Sequence, residues 1–149
     1  MLYTVADSKN LLSSMCSDVS DFDVEVKPFL EEAFRVMSDY GGVAVAAPQI
    51  GVLYNWYLDY HGIVYMNPLL ISRKEKVRKR EQCLSVPNVT VIKDRFEHVT
   101  LQFVDLRGDT KIVSMSGLDA QIAQHEIDHL LGKLICDGVD VENFFDEMT

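Results

Sequence analysis

The segment HEIDH at residues 125–129 is the feature that most constrains the fold. Residues four apart share one face of an α-helix, so His125 and His129 can present two imidazoles to one cation. Glu126 then lies within reach of a water bound to that cation. A single buried histidine is usually an ordinary core residue, but this combination is hard to explain by packing. The segment therefore predicts a helix that carries a metal site.

The boundaries of this helix can also be predicted. Ser116 and Asp119 have the character of a capping box, with aspartate in place of the usual glutamate. Gly132 suits a C-terminal stop. We therefore expect the helix to run from about residue 116 to Gly132.

Two histidines do not complete a hydrolytic centre, which normally has three protein ligands and an open position for water. One known arrangement places a third histidine three residues after Gly132, but Ile135 occupies that position and excludes it. Two sources of a third ligand remain. One is the thiolate of Cys83, in a polar break between two strand-like segments. The other is a carboxylate of the short acidic tail at residues 138–149, which contains Glu142, Asp146 and Glu147.

Composition limits the classes of protein to consider. The 149 residues carry 14 basic and 23 acidic side chains, and this net charge of −9 argues against a DNA-binding protein. No apolar run approaches the roughly 20 residues that span a membrane, and the N-terminus lacks the pattern of a signal peptide. The three cysteines, an odd number, do not form the framework of a secreted disulfide-rich domain. We therefore expect a single cytoplasmic domain.

Apolar spacing along the chain predicts an α+β fold. Residues 1–23 have few apolar anchors and are predicted to be irregular, whereas residues 26–40 have the spacing of a one-sided helix that stops at Gly41. Extended segments are expected near residues 43–47, 52–58, 63–66 and 98–103, and a turn at 107–109 leads to a short return strand. We expect antiparallel strands packed around a central metal-binding helix in a single domain over residues 1–149.

Six of the 14 basic side chains lie between residues 72 and 80. The simpler interpretation is a solvated hairpin whose like charges discourage edge-to-edge pairing. The alternative is a docking surface for an anionic partner such as RNA.

Three segments together resemble the motifs of the peptide deformylase family. They are GVAVAAPQIG at residues 42–51, EQCLS at 81–85 and HEIDHLLG at 125–132, in the order and with the spacing typical of that family. The resemblance covers about residues 24–137. It implies an enzyme that removes the formyl group from the N-terminal methionine of newly made polypeptides, with N-formyl-methionyl peptides as substrates.

The resemblance also implies roles for individual residues. The metal ligands are Cys83, His125 and His129, and the ion is Fe²⁺ most often, with Zn²⁺ or another divalent ion able to take its place. Glu126 moves the proton, and the Leu84 N–H and the Gln49 amide stabilise the oxyanion.

A substrate peptide can pair with the strand that begins at Gly42, which also contains Val43 and Ala44. Val43 and Ile122 can line a pocket for the methionine side chain, although ordinary core packing explains both equally well. Glu81 and Asp128 are either exposed to solvent or orient the imidazoles, with Arg95 as a partner for one of them.

This chain departs from the usual family pattern at several positions. Gln82 and Ala44 replace glycines, and Thr90 stands where many bacterial members have an arginine that contacts substrate. The acidic segment 138–149 also differs from the basic helix that many bacterial members use for ribosome docking. We therefore expect either an enzyme that acts on peptides already released or exposed, or a transient ribosome contact through residues 72–80.

Two other functions are consistent with parts of the sequence. One is a small zinc endopeptidase that uses the carboxylate ligand of segment 138–149. The other is a degenerate protein that binds formyl peptides without hydrolysing them, although the presence of Glu126 argues against it.

Overall fold

The computed structural model describes residues 1–137. The carboxylate ligand considered for segment 138–149 lies outside these residues. The described helices are α1 (Val5–Leu12), α2 (Phe22–Glu25), α3 (Leu30–Asp39) and α4 (Gly117–Leu130). The strands are β1 (Ala44–Ala46), β2 (Trp56–Asp59), β3 (Val64–Cys83), β4 (Val86–Val104) and β5 (Thr110–Ser116).

The strands form one antiparallel sheet in the order β1-β2-β3-β4-β5. Strands β3 and β4 pair along most of their length, from Met66 opposite Val104 to Cys83 opposite Val86. Strand β2 pairs with only the first residues of β3, Val64 to Met66. The rest of β3 therefore has β4 on one edge and no described strand on the other.

Helices α3 and α4 pack on opposite sides of the sheet. On one side, Val36 of α3 joins an apolar cluster with Trp56 and Leu58. On the other, Ile122 of α4 packs in a second cluster with Leu101. This arrangement confirms the predicted α+β fold with a helix against antiparallel strands.

A pair of hydrogen bonds fixes α4 to the sheet. The side-chain amide of Gln124 donates to the C=O of Phe96 at 2.9 Å and accepts from its N–H at 2.8 Å. These bonds give partners to the N–H and C=O of Phe96 at the point where β4 faces α4. They hold α4 at a defined height above β3 and β4.

The N-terminal region differs from the prediction. Residues 5–12 form α1, a helix that is kinked at Ser8. The expectation that residues 1–23 are irregular is therefore wrong for this segment. Leu12 is fully buried in a third apolar cluster, which also contains Cys83 and Leu134. Contacts with distant residues stabilise this short helix, and local sequence patterns do not reveal them.

Helix α4 ends near the predicted residues but begins without the predicted cap. Ser116 makes no capping hydrogen bond to the helix; its Oγ lies 2.7 Å from Nδ1 of His98. Asp119 accepts a hydrogen bond from the Tyr60 hydroxyl at 2.9 Å. The capping box is therefore wrong, because both side chains have tertiary partners. At the other end, Gly132 has φ +77°, as a helix stop requires.

The remaining predictions are largely confirmed. Residues 27–29 form a 3₁₀ turn before α3, and the strand expected from residue 52 begins at Trp56. The basic segment 72–80 lies within β3 and is mostly exposed, and the hairpin turn follows Cys83. Within residues 1–137, none of the helices combines the length and hydrophobicity needed to cross a bilayer.

Candidate active site

Three potential metal ligands converge from two elements. Cys83 is the last residue of β3, and His125 and His129 lie one turn apart on α4. One side-chain donor atom from each residue lies within 4.8 Å of the other two. Cys83 Sγ and His129 Nε2 are 3.0 Å apart.

This donor set fits a divalent metal ion. A tetrahedral site with metal–sulfur and metal–nitrogen bonds of about 2.0–2.3 Å separates its ligand atoms by roughly 3.3–3.6 Å. The observed spacing needs only small side-chain movements to reach that geometry. Burial alone would raise the pKa of Cys83, but the imidazoles of His129 and His125 bring it well below its ordinary value. The thiolate form that binds metals is therefore favoured.

A buried ion-pair network orients His125. Its Nδ1 lies 3.0 Å from Oε1 of Glu81, and both oxygens of Glu81 accept hydrogen bonds from Arg95 at 2.6 Å. Arg95 also donates to Asp128 at 2.7 Å. Although burial opposes ionisation, the bonds from Arg95 and His125 lower the pKa of Glu81 to about 2. The carboxylate therefore stays charged and directs Nε2 of His125 toward the other ligands.

Glu126 lies beside the three ligands without being one of the convergent set. It is 4% exposed, and its Oε1 is 3.9 Å from Nε2 of His125. Its Oε2 has no hydrogen-bond partner within the described residues. Burial raises the pKa of Glu126, which the neighbouring imidazoles only partly counter. A buried carboxylate with a raised pKa, one oxygen of which makes no hydrogen bond to the protein, can accept a proton from water near neutral pH.

Gln49 and Leu84 complete the floor of the site. Gln49 is 1% exposed, and its Oε1 accepts a hydrogen bond from the Ala46 N–H at 2.9 Å. Its Nε2 donates to Ser85 Oγ at 3.1 Å and lies 3.7 Å from Cys83 Sγ. These contacts fix the amide, with one N–H donated to Ser85 and the other directed toward Cys83 Sγ. Leu84 lines the same cavity directly after Cys83.

A cavity of about 600 Å³ opens onto these residues. The predicted substrate residues all line it, namely Gly42, Val43, Ala44 and Ile122. Val43 is exposed, whereas Ala44 and Ile122 are almost fully buried and also belong to the core. The predicted site residues are therefore brought together in one place.

The cavity wall also contains residues that the sequence analysis missed. Leu2 and Thr4 form part of it, as does Gln121, one turn before His125. The N-terminal pair gave no signal because that region was expected to be irregular. Gln121 lies four residues before His125 and so shares its helix face, which means that helical spacing alone could have identified it.

Two positions that depart from the family pattern contact each other. Nε2 of Gln82 donates to Oγ1 of Thr90 at 3.0 Å. The side chain of Gln82 therefore leans toward β4. Ala44 is buried within β1, so its methyl group contributes to the core as well as to the cavity wall.

Comparisons with known proteins agree with this geometry. The model of the polypeptide deformylase family matches residues 1–144. A peptide deformylase of Dictyoglomus thermophilum is 38% identical over 130 residues, which are 85% of each protein. One of Treponema pallidum is 33% identical over 133 residues, 87% of this chain and 82% of the relative.

Solved structures give the same result. The crystal structure of a peptide deformylase from Legionella pneumophila superposes with a TM-score of 0.87 at 31% identity, covering 99% of this chain and 94% of that one. The possible Cys/His metal site agrees with the metal dependence of the family. The chain therefore belongs to the polypeptide deformylase family and is a hydrolase that removes the formyl group from the N-terminal methionine of newly made polypeptides.

Proposed function

We propose that Cys83, His125 and His129 hold the catalytic metal of this deformylase, in one catalytic domain over residues 1–149. The convergence of one thiolate and two imidazoles is the observation that carries this proposal. The carboxylate that fixes His125 also supports it, because such partners orient metal-binding histidines. A divalent ion bound there supplies Lewis acidity and lowers the pKa of a bound water.

The surrounding residues then perform the proton transfers and stabilise charge. Glu126 accepts a proton from the attacking water and returns it to the departing amine, for which its raised pKa is suited. The oxyanion that develops on the formyl oxygen takes hydrogen bonds from the Leu84 N–H and the Gln49 amide. The bonds to Ala46 and Ser85 hold the amide in place, and the second N–H of Gln49, which is directed toward Cys83 Sγ at 3.7 Å, is the one that can turn to the oxyanion.

The substrate peptide binds in the cavity as an extended strand. Among residues 1–137, β1 pairs with β2 on one edge and with no strand on the other. Gly42, Val43 and Ala44 line the cavity. Backbone groups there can pair with a peptide, as in other cases of strand addition. The methionine side chain then lies against Val43 and Ile122, next to the ligands on α4.

Metal content tests the ligand assignment. We expect Cys83→Ser to lose its bound ion at metal concentrations that saturate the unmodified protein. Cys136→Ser is the matched control, since Cys136 is a buried thiol of the same apolar cluster but is not among the convergent ligands. Equal metal content in both variants would contradict the assignment. It would favour the carboxylate of segment 138–149 and the endopeptidase alternative.

A peptide assay tests the role of Glu126. Anaerobically prepared, iron-loaded protein is expected to deformylate formyl-Met-Ala-Ser, whereas Glu126→Ala should keep its metal and lose at least about a hundredfold in rate. Equal and negligible rates would instead support the degenerate binder of formyl peptides.

We further propose Fe²⁺ as the physiological ion, with Zn²⁺ or another divalent ion able to occupy the site. A thiolate with two imidazoles accepts either metal. Thiolate and Fe²⁺ are both sensitive to oxidation, so the iron-loaded protein should lose activity in air faster than the zinc-loaded protein. Equal stability of the two in air, at equal initial activity, would contradict iron as the active ion.

The cytoplasm is the proposed compartment, because newly made polypeptides are the substrates. We also propose that any ribosome contact uses the basic segment 72–80, which is exposed along β3. Neutralising Arg73, Lys74, Lys76 and Arg78 together should then reduce co-sedimentation with ribosomes. Unchanged co-sedimentation would exclude this surface.

A further inference from the structure

We propose that Arg80 selects substrates with an acidic second residue, directly after the formyl-methionine. This inference deepens the proposed peptide-binding mode and rests on it. Arg80 is exposed and lines the cavity. Among the described residues it is the only lysine or arginine in the cavity wall.

The charge of Arg80 is not neutralised by a neighbour. Nearby Lys76 and Arg78 pair with Asp94. Lys79 pairs with Glu97. Within residues 1–137, no carboxylate forms an ion pair with Arg80. Its guanidinium is therefore available to an anionic group that enters the cavity.

The free edge of β3 determines where a bound peptide would run. The C=O of Arg80 accepts a hydrogen bond from Nε2 of Gln121 at 2.9 Å, so it points away from β4. Alternate residues of a strand direct their N–H and C=O groups to the same edge. The register of β3 with β4 shifts between Glu81 and Cys83, and Gln82 has no partner on β4 in the described pairing. The backbone of Gln82 can therefore also face the free edge, between Arg80 and the ligand Cys83.

Residues 42–44 line the same cavity as residues 80–84. A peptide that pairs with residues 42–44 and has its formyl group at Leu84 can therefore present its other edge to β3 and continue antiparallel along it.

Strand alternation then assigns the second side chain. The methionine side chain points into the cavity, so the next side chain points to the opposite face of the added strand. On β3 that face carries Arg80 and Gln82, since Glu81 and Cys83 point to the buried side. The second residue of the peptide then lies opposite Gln82 and diagonal to Arg80. Diagonal neighbours in a sheet are about 7–8 Å apart at the backbone, a distance that the long side chain of Arg80 can span.

The contact between Gln82 and Thr90 leaves this space open. Gln82 donates across to Thr90 on β4, away from the free edge. The side chain of Arg80 can therefore extend toward the peptide without displacing Gln82. A carboxylate on the second residue would gain a charged partner there, and an ammonium group would be repelled.

The test compares formyl-Met-Glu-Ala-Ser with formyl-Met-Lys-Ala-Ser, both amidated at the C-terminus so that the terminal carboxylate adds no charge. Unit charges about 6 Å apart in water, screened by salt, give an expected ratio of kcat/KM of about threefold to tenfold in favour of glutamate. The ratio should fall to about one in Arg80→Gln and invert in Arg80→Glu. It should also shrink as the salt concentration rises.

Arg78→Gln is the matched control, because Arg78 lies on the same face of β3 but does not line the cavity. It should keep the preference for glutamate. An unchanged ratio in Arg80→Gln would overturn the inference, and so would an equal loss in Arg78→Gln, which would indicate a general effect of the basic segment.

Binding of the product peptides Met-Glu-Ala-Ser and Met-Lys-Ala-Ser provides a readout that needs no turnover. The same preference and the same response to Arg80→Gln are expected in their dissociation constants. If the metal-loaded protein hydrolysed no formyl peptide, the proposed catalytic roles would be wrong, and product binding would still decide the role of Arg80.

Discussion

Replacing Arg95 with methionine removes the guanidinium between Glu81 and Asp128 and keeps much of the side-chain volume. Glu81 would then remain as a buried carboxylate with no guanidinium beside it, and its remaining polar partners would be His125 at 3.0 Å and Nε2 of Gln121 at 3.5 Å. We expect this single change to destabilise the protein strongly and to weaken metal binding.

The size of the effect follows from the burial of the pair. Glu81 is 4% and Arg95 7% exposed, so water cannot replace the two hydrogen bonds of 2.6 Å between them. Removing one partner of a buried ion pair costs about 3–5 kcal/mol, mainly because the other charge stays buried. For a domain of this size that corresponds to a fall in Tm of about 6–20 °C. Loss of the support for His125 should also weaken metal affinity about 10- to 100-fold.

Urea unfolding with a chelator present measures the first effect, and metal titration the second. Arg78→Met is the control, because its ion pair with Asp94 is exposed and should contribute less than about 1 kcal/mol. The double variant Arg95→Met with Glu81→Gln removes the uncompensated charge and should recover at least half of the lost stability. A loss below about 1 kcal/mol in Arg95→Met, or no recovery in the double variant, would refute the reasoning.

Three further predictions use other parts of the fold. Gly132 has φ +77°, and a Cβ on it would collide with the backbone C=O of Ser13. Gly132→Ala should therefore lower the free energy of unfolding by more than the roughly 1–2 kcal/mol that the left-handed conformation alone costs. Urea unfolding measures this, and a smaller loss would contradict it. A Cβ on Gly42 would lie 2.7 Å from Cδ1 of Leu84, which is a flexible side chain at the cavity. Gly42→Ala should therefore raise the KM for formyl-Met-Ala-Ser and lower the free energy of unfolding by less than about 1 kcal/mol. An unchanged KM would count against the contact. Burial raises the pKa of Cys16 to about 11. At pH 8 its thiol should therefore be alkylated about a hundredfold more slowly in the native protein than in urea, as measured by mass spectrometry. Equal rates would show that the thiol is not protected.

The parts of the site that depend on local spacing could be predicted from the sequence. His125, Glu126 and His129 lie on one helix, and their relative positions follow from helical geometry. Local pattern left the third ligand open between Cys83 and a carboxylate, and the resemblance to a family indicated Cys83. The distance of Cys83 from α4 depends on the register of β3 with β4 and on how the helix packs against them, neither of which is encoded locally.

The ion-pair network shows the same limit. The sequence analysis allowed Arg95 one partner of two, and the structure gives it both Glu81 and Asp128. These residues come from β3, β4 and α4, so only the assembled fold brings them together. Helix α1 was missed for a related reason, because its buried contact through Leu12 is made with distant parts of the chain.

The hydrogen bond between Gln82 and Thr90 has a consequence for how this site can change over evolutionary time. Each side chain is the other's partner, so the effect of a substitution at one position depends on the residue at the other. Replacing Gln82 alone with glycine leaves Thr90 without this bond, and replacing Thr90 alone with arginine leaves Gln82 free to swing over the cleft. The two positions are therefore epistatic, and a change toward the more common family residues is expected to be tolerated best when both positions change together.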